Sequence, residues 1–184
     1  MSQLLDYLLA RQEAMTSTLE QWVMLESPSN DDGAVNALGD LVARAFKGTG
    51  ASVERLPQAA FGDHLRISWG QGDRQLLLLG HMDTVWPMGE VQRRPFRVSQ
   101  TKATGPGVFD MKGGLVIALY AVMALQELDL KPAHRLVLLL NSDEEVGSLS
   151  SRPFIEEEAR RSEAVLVLEP SRENALVTWR KGVG

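Results

Sequence analysis

The sequence contains no cysteine among its 184 residues, which excludes disulfide bonds, thiolate metal sites and a cysteine nucleophile. It has only three histidines, so any metal site must combine histidine with carboxylates. It also lacks an excess of basic residues: the formal net charge is −5 at pH 7, whereas a nucleic-acid-binding domain needs a basic face. We therefore expect no nucleic-acid partner.

The N-terminal residues lack the pattern of a signal peptide. The first 15 residues include Asp6 and have no basic start followed by an apolar segment. No apolar run is expected to be long enough to span a membrane. We therefore expect a cytoplasmic protein without a membrane partner, although the absence of cysteine does not by itself fix the compartment.

The first part of the chain is predicted to form two helices followed by two strands. Apolar residues recur at helical spacing over residues 2–25 and again over residues 31–47. Asp31 or Asp32 would cap the second of these helices. Short alternating strands are predicted at residues 52–56 and 64–69.

Three short apolar runs predict strands that are buried on both faces, as in a parallel sheet covered by helices. They are residues 76–79, 135–140 and 164–168. Helices are predicted at residues 113–128 and 150–161, and a last short strand at residues 175–179. Strands that alternate with helices predict an α/β sandwich of three layers, with a mostly parallel central sheet and helices on both faces.

A histidine or acidic residues follow each of these three buried strands, and one more acid lies in the glycine-rich segment GPGVFDMKGG. The residues are His81, Asp83, Asp110, Glu144, Glu145 and Glu169. If the strands are parallel, these side chains meet at one edge of the sheet, where open α/β sheets bind ligands. Carboxylates gathered without cationic partners repel each other, so either some stay protonated or a multivalent cation neutralises them. Histidine and carboxylates suit zinc and similar metals, and a cluster this acidic can hold two ions.

Each of these residues also has a simpler interpretation when taken alone. Asp83 could end a turn, Asp143 could cap the helix that follows it, and His81 could be a structural histidine. His64 and His134 lie near predicted strand starts, away from the proposed edge, and we interpret them as structural. The joint pattern at three strand ends favours the metal site.

Two other kinds of catalytic or binding motif are poorly matched. The segment containing Gly105 and Gly107 does not directly follow a strand and lacks the third glycine of a dinucleotide-binding loop, which disfavours a nucleotide-binding domain. Ser142 and Ser148 do not lie in a nucleophile-elbow sequence.

Four segments of the chain carry a resemblance to a known family. GHMDTV, GPGVFDMKGG, SDEEVGS and VLEPS occur in the order and at the spacing found in the dizinc hydrolases that include carboxypeptidase G, acetylornithine deacetylase, succinyl-diaminopimelate desuccinylase and aminoacylase. The resemblance covers nearly the whole chain. It implies a zinc-peptidase-like catalytic domain, present here only in its N-terminal part.

The resemblance implies a ligand set for two zinc ions, with cobalt as a possible substitute. His81 and Glu169 would bind the first ion, Glu145 would bind the second, and Asp110 would bridge both. Asp83 would orient the imidazole of His81 from outside the ligand set.

The resemblance also assigns a catalytic residue and a backbone feature. Glu144 would act as the general base, taking a proton from the attacking water and passing it to the leaving amine. If the chain is extended at this point, the neighbouring side chains of Glu144 and Glu145 point apart. The family usually has a cis peptide bond directly after the residue that corresponds to Asp110.

The function implied by the resemblance is zinc-dependent hydrolysis of an amide bond in N-acyl amino acids or short peptides that bear a free carboxylate. The residues of the segments HMDTVW and VLEPS most resemble those of carboxypeptidase G, which favours substrates with a C-terminal glutamate. An N-acyl amino acid deacetylase or desuccinylase is the alternative within the family. The alternative from another class is an α/β fragment that binds metal without catalysis, or binds nothing.

Residues 1–179 would form the N-terminal part of the catalytic domain, and residues 180–184, within TWRKGVG, would begin the crossing to a smaller lid domain that the chain lacks. In the family, a later histidine completes the second zinc site, and the lid supplies an arginine for the substrate carboxylate and the contacts of a homodimer. We therefore expect the 184-residue chain alone to be inactive and the full-length enzyme to be a homodimer.

Overall fold

The computed structural model describes residues 3–171 and 175–178, and the predicted crossing at residues 180–184 lies outside them. The strands are β1 (Ser52–Leu56), β2 (His64–Trp69), β3 (Arg74–His81), β4 (Arg97–Ser99), β5 (Lys102–Thr104), β6 (His134–Asn141) and β7 (Ala164–Val167). The main sheet has the spatial order β1-β2-β6-β3-β7, and β4 and β5 form a separate antiparallel pair.

The helices are α1 (Gln3–Leu9), α2 (Gln12–Met24), α3 (Asp32–Lys47), α4 (Glu90–Arg93), α5 (Gly113–Glu127) and α6 (Arg152–Arg161). The prediction of one continuous helix over residues 2–25 is wrong, because the chain leaves helical geometry at Arg11. The guanidinium of Arg11 lies 3.5 Å from the centre of the Tyr7 ring and forms an ion pair with Glu127 of α5. Of these contacts, the ion pair with Glu127 joins residues 116 positions apart, which periodicity does not reveal.

Parallel pairing brings three strand ends to one edge of the sheet. β3 pairs in parallel with β6 on one side, with His81 opposite Asn141, and with β7 on the other, with Leu79 opposite Val167. β2 and β1 extend the sheet antiparallel beyond β6, so the sheet as a whole is mixed. The predicted α/β fold is confirmed, and its parallel part is the part that carries the predicted site residues.

Helices cover both faces of the sheet. On one face, α3 and α5 pack against Leu65, Ile67 and Leu138 in a large apolar cluster. On the other face, Leu77, Val137 and Leu139 pack against Phe154 and Ile155 of α6. Burying a large apolar side chain contributes roughly 1.5–3 kcal/mol, so the alternating leucines of β3 and β6 hold the three layers together.

The last strand of the described sheet is less buried than predicted. Leu166 and Val167 of β7 expose 53% and 56% of their surface, because β7 is an edge strand that pairs only with β3 among the described residues. The strand predicted at residues 175–179 is not formed over residues 175–178, where Ala175 is a single bridge residue. Trp179 lies outside the described residues.

One apolar segment is longer than the sequence analysis allowed. An irregular turn at Val108–Lys112 runs directly into α5, and together they give 20 residues that are long and apolar enough to cross a membrane. By length and composition, the expectation that no apolar stretch reaches this length is wrong. Asp110 and Met111 have non-helical dihedral angles, however, so the regular helix is limited to the 15 residues of α5. Half of the most apolar part is buried inside the protein, and Leu115, Leu119 and Val122 lie in the main core.

Candidate metal centre

The imidazole of His81 lies at the end of β3 and is 1% exposed. Its Nδ1 atom lies 2.9 Å from the main-chain oxygen of Asp83 and 3.4 Å from the Oδ1 atom of the same residue. Because these oxygens can only accept, Nδ1 carries a hydrogen and donates it. The Nε2 atom is thereby turned toward the strand edge as the atom that can bind a metal.

Two carboxylates face the Nε2 atom of His81. The Oδ1 atom of Asp110 lies 3.1 Å away, and the Oε1 atom of Glu169 lies 3.2 Å away. The three ligand atoms all lie within 4.8 Å of one another. Donors of a tetrahedral zinc site are separated by about 3.3 Å, so the residues present fit such an ion by chemistry and by spacing.

The charges of the cluster favour a cation. Burial lowers the pKa of His81, but the carboxylates of Asp83 and Glu169 raise it more, to about 11. Burial, followed by the charge of Asp110, raises the pKa of Glu145 to about 7. Burial and neighbouring carboxylates also raise the pKa of Glu144. The raised pKa of His81, and the part of the raised pKa of Glu145 that is due to Asp110, indicate a negative potential, which a bound metal ion would neutralise.

The glycine-rich segment that carries Asp110 lies close to the end of β3. The Asp110–Met111 peptide bond is cis, as the family resemblance implies. Gly107 has a φ of 69°, and a Cβ atom there would lie 2.8 Å from the Cγ2 atom of Thr84. The buried Lys112 donates from Nζ to the main-chain oxygens of Trp22 at 3.1 Å and Leu25 at 2.8 Å, which ties this segment to the end of α2.

The carboxylate of Asp83 connects three parts of the chain. It accepts hydrogen bonds from the hydroxyl of Ser29 at 2.7 Å and from the main-chain amides of Glu144 and Glu145, each at 3.2 Å. The role of Ser29 was missed from the sequence. The adjacent Pro28 forms a parallel bridge with Thr84, which places this segment beside the chain that follows β3.

Glu144 and Glu145 begin a 3₁₀ turn, Glu144–Val146, so the chain is not extended there, which was the condition given for their side chains to point apart. The amide of Gly147 closes the turn by donating to the main-chain oxygen of Glu144 at 2.8 Å. With three residues per turn, neighbouring side chains still diverge. The Oε2 atom of Glu144 lies 3.9 Å from the Nε2 atom of His81, whereas Glu145 is outside the three-residue group of ligand atoms.

The two remaining histidines differ in position. His134 lies at the opposite edge of the sheet, at the start of β6, and its Nε2 atom is 2.9 Å from Glu163, as expected of a structural residue. The prediction that His64 also lies away from the site edge is wrong. Because β2 runs antiparallel to β6, with Leu65 opposite Leu140, the start of β2 lies beside the end of β6.

Comparisons of the sequence with known proteins agree with this architecture. A sequence profile of the peptidase family M20/M25/M40 matches residues 77–180. The chain is 38% identical to carboxypeptidase G2 of Pseudomonas sp. (strain RS-16) over 164 residues, covering 87% of this chain and 39% of that protein. It is 32% identical to acetylornithine deacetylase of Pasteurella multocida (strain Pm70) over 146 residues, covering 76% of this chain and 37% of that protein.

Solved structures show the same fold. Human carnosine dipeptidase 1 superposes with a TM-score of 0.78 at 19% identity, covering 89% of this chain and 40% of the other. The metallo-carboxypeptidase Sso-CP2 from Sulfolobus solfataricus superposes with a TM-score of 0.66 at 19% identity, covering 83% of this chain and 36% of the other. The chain thus spans about two fifths of the length of these relatives, and by its sequence it belongs to the peptidase family M20/M25/M40.

Proposed function

We propose that the protein is a metal-dependent amide hydrolase that acts on N-acyl amino acids or short peptides with a free carboxylate. The observation that carries the proposal is the group formed by His81, Asp110 and Glu169, whose ligand atoms converge within 4.8 Å at the end of three parallel strands. Membership of a peptidase family supports hydrolysis as the chemistry.

The proposed ions are two zinc ions, which cobalt could replace. His81, Asp110 and Glu169 form a plausible complete protein set for the first ion. Asp110 and Glu145 are the proposed ligands of the second, which would be bound more weakly by the described residues. When bound, such ions polarise an amide carbonyl and lower the pKa of water.

The proposed general base is Glu144. Its carboxylate lies beside the ligand group, and its main-chain amide is held by Asp83 rather than left to move with the loop. From this position Glu144 would take a proton from the attacking water and deliver it to the amine that leaves. Asp83 would keep the His81 ring in one orientation through its Nδ1 atom.

The substrate is proposed to be a peptide or acyl derivative of glutamate, because carboxypeptidase G2 is 38% identical over most of this chain. Deacylation of an N-acyl amino acid is the second candidate, supported by the 32% identity to acetylornithine deacetylase. Parallel turnover assays with an N-acyl-glutamate and with N-acetylornithine separate the two. We expect negligible turnover by the 184-residue chain alone, because the second ion would exchange freely.

The decisive experiment is a zinc titration of the purified chain followed by elemental analysis. We expect one tight site and one weak site in the unchanged protein. Asp110→Ala should remove more zinc than any other single substitution, because a bridging ligand serves both ions. The matched control is Asp73→Ala, at an exposed position in the turn before β3, which should retain both sites. Equal zinc retention by both variants would contradict the proposal.

A further inference from the structure

A second group of buried polar side chains lies beside the metal centre and is absent from the ligand set. His64, at the start of β2, is fully buried. Its Nδ1 atom lies 3.2 Å from the main-chain nitrogen of Ser142 and 3.0 Å from the Oγ atom of that residue. Its Nε2 atom lies 3.1 Å from the Oγ atom of Ser150. The ring therefore bridges the segments on either side of Glu144 and Glu145.

The hydrogen bonds of the group identify which ring nitrogen carries the hydrogen. If Nε2 carries it, Nε2 donates to Ser150, whose hydroxyl donates to Asp143 at 2.9 Å. Nδ1 then accepts from the amide of Ser142, and the hydroxyl of Ser142 donates to the main-chain oxygen of Gly62. This arrangement satisfies four hydrogen bonds.

The other neutral tautomer satisfies fewer. With the hydrogen on Nδ1, the ring donates to the hydroxyl of Ser142, and Nε2 accepts from the hydroxyl of Ser150. The amide of Ser142 then loses its acceptor, and the hydroxyl of Ser150 no longer reaches Asp143. Leaving a buried donor unsatisfied costs roughly 1–3 kcal/mol. The count of bonds therefore favours the Nε2–H form.

The hydrogen bonds that begin at His64 extend through Ser150 to Asp143, the residue before Glu144. The Oδ2 atom of Asp143 accepts from the hydroxyl of Ser150 and from the amides of Ser150 at 2.6 Å and Ser151 at 3.2 Å, directly before α6. Asp143 therefore does not cap α6 as interpreted from the sequence, because the amides it binds belong to the residues before the helix, which begins at Arg152. Ser142 and Asp143 thus hold the turn of Glu144 and Glu145 from the β2 side, while Asp83 holds it from the β3 side.

We propose that His64, in its neutral Nε2–H form, is a positioning residue that fixes Asp143 and Ser142 and thereby orients the turn carrying Glu144 and Glu145. The effect of this on the second metal ion rests on the function proposed above. The effect on the turn itself does not, because it follows from hydrogen bonds formed without any ion.

The first test is nuclear magnetic resonance of the full chain labelled with 15N at histidine, without metal and at neutral pH. We expect His64 to show a hydrogen on Nε2 and none on Nδ1. A hydrogen on Nδ1, or on both nitrogens, would overturn the proposal. The assignment is made by comparison with His64→Gln, which removes this signal and leaves those of the other two histidines.

The second test uses three variants that separate the two ring nitrogens. His64→Asn retains an acceptor near the Nδ1 position, His64→Gln retains a donor near the Nε2 position, and His64→Leu retains neither. We expect amide hydrogen exchange of Glu144 and Glu145 in metal-free protein to be accelerated least by His64→Gln, more by His64→Asn and most by His64→Leu. The amides of α3 should keep their rates. Uniform acceleration across the chain would show a merely structural role and overturn the proposal.

The third test is zinc affinity. We expect His64→Asn to weaken the second site about tenfold, as for residues that orient metal ligands, and to change the first site less than twofold. Equal weakening of both sites, or of neither, would overturn the proposal. If the unchanged chain binds no zinc, the proposed function fails, whereas the tautomer and exchange measurements still decide the role of His64. If His64→Leu does not fold, the Asn and Gln variants carry the test.

Discussion

The Oδ1 atom of Asp83 accepts a hydrogen bond from the main-chain amide of Glu144 at 3.2 Å, across 61 residues of sequence. Asp83 also lies 3.4 Å from the Nδ1 atom of His81. One buried carboxylate therefore sets the position of a proposed metal ligand and of the proposed general base together. A substitution at Asp83 should therefore change the positions of both His81 and Glu144.

Asp83→Asn tests this coupling. Both oxygens of Asp83 accept hydrogen bonds from donors, so the amide group of asparagine faces a donor whichever way it turns. We expect zinc affinity to fall roughly 10- to 100-fold, measured by competition with a chelating dye. Ser29→Ala removes a single bond to the same carboxylate and should have a smaller effect. Unchanged affinity in the Asp83 variant would contradict the coupling.

Glu144→Gln tests the general base. In a form of the protein that turns over an N-acyl-glutamate, the amide preserves size but cannot accept the proton, so the rate should fall on the order of 10²- to 10⁴-fold. Zinc content, measured by elemental analysis, should remain. Glu145→Gln should instead lower zinc content. A rate within a few-fold of the unchanged enzyme would remove Glu144 from this role and make Glu145 the residue to examine.

A buried ion pair far from the site predicts how stability depends on pH. Burial raises the pKa of Glu158, but hydrogen bonds from Arg66 and Gln75, each at 2.8 Å, lower it more, and the net pKa is below its ordinary value. The charged carboxylate therefore stabilises the fold above the unfolded pKa of about 4.3, and this contribution is lost as the pH falls through the lowered folded pKa.

Glu158→Gln should accordingly lower the free energy of unfolding by roughly 1–3 kcal/mol at neutral pH, measured by urea denaturation. The difference from the unchanged protein should shrink as the pH falls below the unfolded pKa and through the lowered folded pKa of Glu158. Glu157→Gln, at a neighbouring position whose exposed carboxylate pairs with Arg161, should cost less than about 1 kcal/mol. A difference that does not depend on pH would refute the assignment.

Gly114→Ala tests the contact between α5 and the chain that carries Glu169. A Cβ atom at Gly114 would collide with the main-chain oxygen of Leu168, the residue before Glu169. Helix propensity alone predicts that alanine stabilises α5, whereas the collision predicts destabilisation by roughly 1–3 kcal/mol. Zinc affinity should fall as well. Gly33→Ala in α3 meets only an ordinary contact at 3.5 Å and should be neutral or stabilising by thermal unfolding.

The sequence alone determined most elements of the fold and the three residues whose ligand atoms meet at the candidate centre. The apolar runs of β3 and β6 and the helix α5 were found because hydrophobic periodicity is a local property of the sequence. His81 and Glu169 were found because parallel strands bring their carboxyl ends together, and Asp110 because it lies in a glycine-rich segment; the three residues do meet in the structure. The burial of β7 was overestimated, since an apolar run does not show whether a strand lies at an edge.

Only the tertiary structure decided how these residues are supported. The hydrogen bonds of Asp83 with Ser29 and with Glu144 join segments that are 54 and 61 residues apart, and no local pattern in either segment predicts its partner. The position of His64 depended on the antiparallel pairing of β2 with β6, which reverses the edge at which a strand begins. Strand direction and neighbour order are set by the packing of the whole core rather than by local residue patterns, which is why a histidine assigned away from the site edge is bonded to Ser142, two residues before the proposed base.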